Sequence, residues 1–235
     1  MDLNMQKFDL VVPAGSFCVT GYHLRKAGLH GETLPFDWLE NVTLELFAGF
    51  LENGFEDFLV QDRLMPDFEG KSGKGHYRFR MPNGITFVHD FAHDRPAADF
   101  AAVQRKYDRR IKQLFDRMEK ARSILFVHCS RFEADPNELG RVCDRLQACC
   151  PDKCIKLLYV HLVNGKKGFD YVAQSPEADV VEMEFGTNSD SKQFWIGKVS
   201  VFNRMLSSYR LTFAARCCLW LNKQKRKFGK SYDRM

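Results

Sequence analysis

The sequence predicts one α/β domain built on a mostly parallel sheet of about five strands, with helices on both faces of the sheet. Short apolar runs typical of buried strands alternate along the chain with segments that have helical spacing of apolar residues. The chain has 235 residues, is 45% hydrophobic, and contains no linker-like stretch of Pro, Gly or Ser. That size suits one large core. We therefore assign residues 1–222 to a single three-layer domain and residues 223–235 to a basic C-terminal tail.

Four apolar runs are predicted to be neighbouring strands of this sheet, namely 8–12, 85–88, 124–127 and 155–160. A further strand over 178–185 is expected near an edge, because Glu182 and Glu184 alternate with apolar residues there. Between the first two runs, the glycine-rich stretch 66–84 predicts a hairpin or a flap.

Helices are predicted over 19–27, 43–51, 103–121 and 137–149, and the stretch 195–221 reads as one long helix or two. In the third of these, Val103, Tyr107 and Leu114 mark one apolar face, and Arg and Lys fill the other. Strands joined by helical crossovers bind ligands outside their carboxyl ends. The functional site is therefore expected where the strands end.

Charge and cysteine content limit the possible functions. The net charge is +5, and much of the excess lies in residues 223–230, so we expect a solvated tail or one that touches anionic surfaces. In the rest of the chain the numbers of positive and negative charges are nearly equal, which does not indicate a nucleic-acid partner. No signal peptide or transmembrane segment is recognisable, so a cytosolic location is expected and the eight cysteines are predicted to be thiols. Their spacing predicts no metal site, and no cofactor motif is present.

Cys18 is the first candidate for chemistry. It follows the tight-turn sequence Gly15-Ser16-Phe17, between a predicted strand and a predicted helix. A thiol at a helix N-terminus experiences the positive end of the helix dipole, which stabilises the nucleophilic thiolate. The unpaired N–H groups of the first helical turn could also bind an oxyanion. The alternative is that Cys18 is a small buried hydrophobic residue.

His89 and Asp90 follow the 85–88 strand and form the second candidate group. If that strand is a parallel neighbour of 8–12, His89 emerges on the same edge as Cys18 and could deprotonate it. Asp37, which lies between Phe36 and Trp38, or Asp90 could orient the imidazole as the third member of a triad. Asp37 could equally cap the helix that follows it, and His89 could simply be hydrogen-bonded in a turn.

Several short stretches taken in order resemble a known family: Gly15–Cys18, Leu24–Leu29, Pro35–Trp38, Val88–Phe91, Arg109–Ile111 and Ile124–Val127. The sequence is similar, over residues 8–165, to a bacterial family of unknown function described as putative papain-like cysteine peptidases. The resemblance implies Cys18 as nucleophile and His89 as base, in the Cys-then-His order of papain-like enzymes. Papain-like folds place this histidine in an antiparallel sheet, whereas the alternation of elements favours a parallel one; we keep the parallel sheet as the expectation.

Two main functions remain open on the sequence, and a third possibility is a scaffold that its basic tail recruits to a membrane or polymer. The first is a cysteine hydrolase or acyltransferase with Cys18 and His89 as its reactive pair, in which Gly15, Ser16, Trp38 and Arg25 surround the oxyanion or the ligand; its substrate could be a small molecule, a peptide or a glycan. The second is a non-catalytic or transferase-like module that binds an anionic ligand such as a sugar phosphate. In that case Cys18 is dispensable, and Arg25, Arg95 or Lys71 would line the pocket. The sequence names no substrate and leaves open whether the chain is an enzyme.

Overall fold

The computed structural model describes residues 5–71, 75–186 and 196–232. The strands are β1 (Gln6–Phe8), β2 (Leu10–Pro13), β3 (Leu39–Glu40), β4 (Met65–Lys71), β5 (Tyr77–Arg80), β6 (Thr86–Phe91), β7 (Ser123–Ser130), β8 (Cys154–Val163), β9 (Phe169–Gln174), β10 (Ala178–Glu184) and β11 (Tyr209–Leu211). The helices are α1 (Val19–Lys26), α2 (Leu44–Glu52), α3 (Pro96–Lys120), α4 (Pro136–Cys149), α5 (Val199–Leu206) and α6 (Phe213–Tyr232), with 3₁₀ turns at Pro35–Trp38 and Gln61–Arg63.

The central sheet has five strands in the order β2-β7-β8-β10-β9. The first four run parallel, and β9 pairs antiparallel with β10 at the edge. The predicted α/β class is therefore confirmed, and the runs 8–12, 124–127 and 155–160 do supply adjacent strands. The run 178–185 supplies β10, which lies one position in from the edge because β9 covers it.

The expectation of a single sheet was wrong. Strand β6, which contains the 85–88 run, belongs to a separate antiparallel sheet of order β3-β6-β5-β4, and β1 pairs with β11 in a third, two-stranded sheet. Only five residues, 81–85, connect β5 to β6. A connection that short permits antiparallel pairing, whereas parallel strands need a crossover of a dozen or more residues. Within the stretch 66–84, strands β4 and β5 pair antiparallel, which agrees with the hairpin predicted as one of its alternatives.

The core lies on both faces of the central sheet. Ile124 and Phe126 of β7 point into one apolar cluster, which also contains buried residues of α2, α3, α4 and the antiparallel sheet. Leu125 and Val127 point into the other, which contains residues of α1, α5 and α6. Residues of a strand alternate between its faces, so a strand buried on both sides is apolar throughout. The predicted layering, with helices on both faces, follows from this.

The C-terminal region is divided more finely than the sequence predicted. The stretch 195–221 contains α5, the short strand β11 and the first part of α6, and Trp195 lies outside the described residues. Helix α6 runs across residue 223, where the basic tail was predicted to begin. Within the described part of the chain, no helix is both long and apolar enough to span a membrane.

Candidate functional site

Cys18 lies where the chain leaves the central sheet and enters α1. Strand β2 ends at Pro13, and Cys18 is the N-cap residue of α1, with a half-buried side chain. Between them, the Ser16 N–H donates to the Cys129 carbonyl of β7, and the Ser16 carbonyl accepts from the Val42 N–H. The loop before Cys18 is thus held by β7 on one side and by the end of the β3 segment on the other.

Gly15 is required by this arrangement. Its φ is +97°, and a β carbon on it would lie 2.8 Å from the Val42 β carbon and 2.9 Å from the Val42 carbonyl oxygen. Its own carbonyl accepts from the Cys129 N–H at 3.1 Å and from the Thr20 hydroxyl at 2.6 Å. Only glycine allows both the positive φ and the close approach of the Val42 backbone. The tight turn that was expected before Cys18 is present.

His89 lies on β6, in the antiparallel sheet, with a half-buried side chain. Its ring meets the Trp38 ring edge to face, with centroids 6.0 Å apart, and the His76 ring at 6.3 Å. The β5–β6 register shifts between Tyr77 and Phe79, opposite this part of β6. Such irregularities redirect side chains and are common beside active sites. His89 therefore does not emerge from a parallel strand next to β2, as had been predicted.

Trp38 connects the two sides of this region. Its ring packs against His89, and the Arg25 guanidinium lies over the same ring, 5.2 Å from its centroid. Arg25 and Cys18 both belong to α1 and its cap. The pairing of β3 with β6, in which Leu39 is opposite Phe87, brings Trp38 to the level of His89.

Asp37 is fully buried, and its carboxylate has three partners. Arg25 Nη2 is 2.6 Å from Oδ1, His30 Nε2 is 3.0 Å from Oδ2, and the Leu34 N–H donates to Oδ2 at 2.6 Å. Burial opposes ionisation of this carboxyl, but His30 and Arg25 outweigh it, so the pKa of Asp37 lies below its ordinary value. Asp37 caps the 3₁₀ turn that contains it, which is close to the capping role considered from the sequence.

Asp90 faces a different set of neighbours from His89. Its carboxylate is bonded to the Lys106 ammonium and accepts from the Tyr107 hydroxyl at 2.9 Å, both on α3. Burial, followed by the Asp90 charge, raises the pKa of Tyr107. These contacts tie β6 to α3.

Arg131 adds a positive charge close to the start of α1. This exposed residue follows β7, and its guanidinium stacks over the rings of Phe17 and Phe185, at 5.2 and 5.5 Å. Phe17 immediately precedes Cys18 in the chain. Burial raises the pKa of Cys129 to about 12 and that of Cys143 to about 11, which disfavours the reactive thiolate form of these two cysteines at neutral pH.

The structure thus places Gly15, Ser16 and Cys18 on the β2–α1 connection and Arg25 in the last turn of α1, where Asp37 and Trp38 contact it. Sequence reasoning missed three side chains of this region: His30, the partner of Asp37; His76, beside His89; and Arg131, over Phe17. None of them belongs to a motif that would single it out. Over the residues described, no group of three or more His, Cys, Asp or Glu side chains could hold a metal ion.

Fold and site together define an α/β protein with a cysteine at a helix N-terminus and a histidine in an adjoining antiparallel sheet. A family model described as "Putative papain-like cysteine peptidase (DUF1796)" matches residues 9–168, and this chain belongs to that family. A protein of Acanthamoeba polyphaga mimivirus, named "Uncharacterized protein R408", is 26% identical over 153 residues, which is 58% of this chain and 67% of the viral protein. No solved structure matches the chain. The family prediction is confirmed, whereas a viral relative gives no support to a bacterial source.

Proposed function

We propose that the chain is a cysteine hydrolase that cleaves amide bonds of peptides, with Cys18 as nucleophile and His89 as base. The observation that carries this proposal is the position of Trp38, whose ring contacts His89 on one side and Arg25 on the other. Because Arg25 is on the helix that Cys18 caps, the strand of His89 and the helix of Cys18 flank one indole ring. Membership of a family described as putative papain-like cysteine peptidases supports a cysteine as the nucleophile, and Cys18 and His89 both lie within the matched residues.

The chemistry assigns a role to each part of the site. His89 takes the proton of Cys18, and the thiolate attacks the carbonyl carbon of the substrate. The N–H groups at the start of α1 stabilise the resulting oxyanion, and the amine leaves with the proton held by His89. Water then hydrolyses the thioester. The N–H groups of Ser16 and Thr20 donate to the Cys129 and Phe17 carbonyls, so we do not assign them as oxyanion donors.

Asp37 supports the site without contacting the reacting atoms in this proposal. It pairs with Arg25, whose guanidinium also lies over the Trp38 ring, so it holds α1 against the 3₁₀ turn. The anion-binding alternative has weaker support, because Arg25 already neutralises buried Asp37. Arg95, at the cap of α3, is exposed, and the side chain of Lys71 lies outside the described residues.

Alkylation of Cys18 by iodoacetamide near neutral pH tests the proposed pair, with the modified peptides quantified by mass spectrometry. Cys154, Cys217 and Cys218 are exposed, so a variant with serine at these three positions removes the background. Cys18 should react faster than a free thiol, whose pKa is about 8.5. His89→Ala should slow the reaction by about tenfold or more, because the thiolate fraction falls.

His93→Ala is the matched control. His93 is exposed and bonded to Asp99, away from the Trp38 contacts, so its loss should leave the rate unchanged. Equal alkylation rates in the wild type and in His89→Ala would show that His89 does not activate Cys18. Peptide cleavage that persists in Cys18→Ser would show that Cys18 is not the nucleophile.

A further inference from the structure

Helix α6 packs on the domain by one face only. Ala215 and Leu219 pack against the core cluster below the central sheet, and the Asn222 amide donates to Glu32 at 2.8 Å. These positions are spaced i, i+4 and i+7, which is one face of a helix. The first three turns of α6 are therefore fixed on the body of the protein, and their orientation is known.

The opposite face of α6 is apolar and exposed. Phe213, Trp220 and Leu221 are 75%, 60% and 50% exposed, and Cys217 lies between them with an exposed thiol. The spacing i, i+4, i+7 and i+8 places all four on the same face. An ordinary surface helix turns charged residues outward, so this helix has the reverse pattern on its outer side.

Helix α6 also carries the positive charge of the whole chain. Residues 213–232 contain six Lys or Arg (one at 216 and five between 223 and 230) and no Asp or Glu. The full chain has a net charge of +5, so the remainder has a net charge of −1. A helix with exposed aromatic and Leu side chains followed by a dense run of cations is typical of segments that lie on anionic bilayers.

We propose that α6 docks the protein on an anionic lipid surface. Phe213, Trp220 and Leu221 enter the boundary between headgroups and acyl chains, and the cations of residues 223–230 bind lipid phosphates and carboxylates. The helix lies in the plane of the interface, because its inner face stays on the domain. This inference is independent of the proposed hydrolase activity, and a Cys18→Ser variant is expected to bind equally well.

Co-flotation of the full chain with vesicles tests this docking. Vesicles of phosphatidylcholine with about a third phosphatidylserine are compared with vesicles of phosphatidylcholine alone. Binding should be at least about a hundredfold stronger on the anionic vesicles and should fall as salt is added. Trp220→Ser should weaken it by about ten- to a hundredfold, and the triple change of Lys225, Arg226 and Lys227 to Gln by about a hundredfold.

Matched controls are available elsewhere on the surface. Phe132→Ser removes an aromatic side chain that is 80% exposed, and Arg105, Arg109 and Lys112 of α3 can be changed to Gln to remove three exposed cations. Neither control should alter binding. Equal binding to neutral and anionic vesicles, or unchanged binding by Trp220→Ser, would overturn the proposal. A dimer in sedimentation that Trp220→Ser dissociates, without vesicle binding, would instead make this face a contact between two copies.

Discussion

Replacing Gly21 with Ala should destabilise this protein, although the same change usually stabilises a helix. Gly21 lies in α1, one turn after Cys18, and a β carbon on it would be 2.2 Å from Oδ1 of Asp37 and 3.1 Å from Nη1 of Arg25. Asp37 cannot move aside easily, because it is fully buried and is held by Arg25, His30 and the Leu34 N–H. The added methyl group must therefore displace α1 or break the ion pair.

The gain in helix propensity is smaller than the cost of crowding Asp37, so the net change in the free energy of unfolding should be a loss. Ala is favoured over Gly in a helix by about 1 kcal/mol. Overpacking a filled interior costs about 1–3 kcal/mol, and breaking a buried ion pair costs about 3–5 kcal/mol. Because the Arg25 side chain is 25% exposed, solvent screens part of the second cost. We therefore expect a net loss of about 2–4 kcal/mol in the free energy of unfolding.

Urea unfolding of the wild type, Gly21→Ala and Gly140→Ala measures this prediction. Gly140 is an exposed position in α4 with no atom within 4 Å of its built β carbon, so it reports helix propensity alone. Gly140→Ala should increase the free energy of unfolding by about 1 kcal/mol and so raise the urea midpoint. Gly21→Ala should lower the midpoint. A Gly21→Ala variant as stable as the wild type would show that the Asp37 cluster is not packed as described.

Two further predictions concern pH. The pKa of Asp37 is lowered by folding, so its stabilisation is present above the ordinary value of 3.8 and is lost as the pH falls through the lower, folded value. Asp37→Asn should cost about 3 kcal/mol at pH 7 and show a shallower loss of stability in acid, whereas Asp116→Asn, at a side chain that is 48% exposed, should do neither. Burial, opposed by a hydrogen bond to the Ala14 carbonyl, lowers the pKa of His128 from 6.5 to about 4. As the pH falls from 6.5 to about 4, the unfolded chain therefore binds a proton at His128 before the folded chain does, and the free energy of unfolding decreases. His128→Gln should reduce the slope there by up to about 1.4 kcal/mol per pH unit, and an unchanged slope in urea titrations would contradict the assignment.

Local pattern was sufficient to predict much of the central sheet. β2, β7 and β8 are continuous apolar runs because both of their faces are buried, and the single helix α4 between β7 and β8 provides the crossover that parallel strands need. The turn at Gly15 and the helix after Cys18 also follow from short-range rules. The sheet to which β6 belongs does not, since its apolar run is compatible with either pairing direction. Only the short connection to β5 decides it, and that requires the β4–β5 hairpin to be recognised first.

Asp37 shows the limit of residue-level reasoning in a different way. A buried carboxylate must have a partner, and the sequence offered His89 because it belongs to a recognisable stretch. The structure gives it Arg25 and His30, which meet Asp37 only because the segment after α1 turns back along the helix. His30 has no feature in the sequence that marks it. The need for a partner could be predicted, but its identity depends on a reversal of the chain that no local pattern specifies.

The position of His89 relative to Cys18 is set by the short segment between Asp37 and Val42. Val42 pairs with Ser16, two residues before Cys18, and Leu39 pairs with Phe87, two residues before His89. Six residues therefore couple the central sheet to the antiparallel sheet, with Trp38 packed between His89 and Arg25. Catalysis by the proposed pair requires that the N-terminus of α1 and strand β6 are held at a fixed separation. The segment that joins the parallel core to the antiparallel sheet is therefore the part of the fold on which the proposed Cys18–His89 site depends.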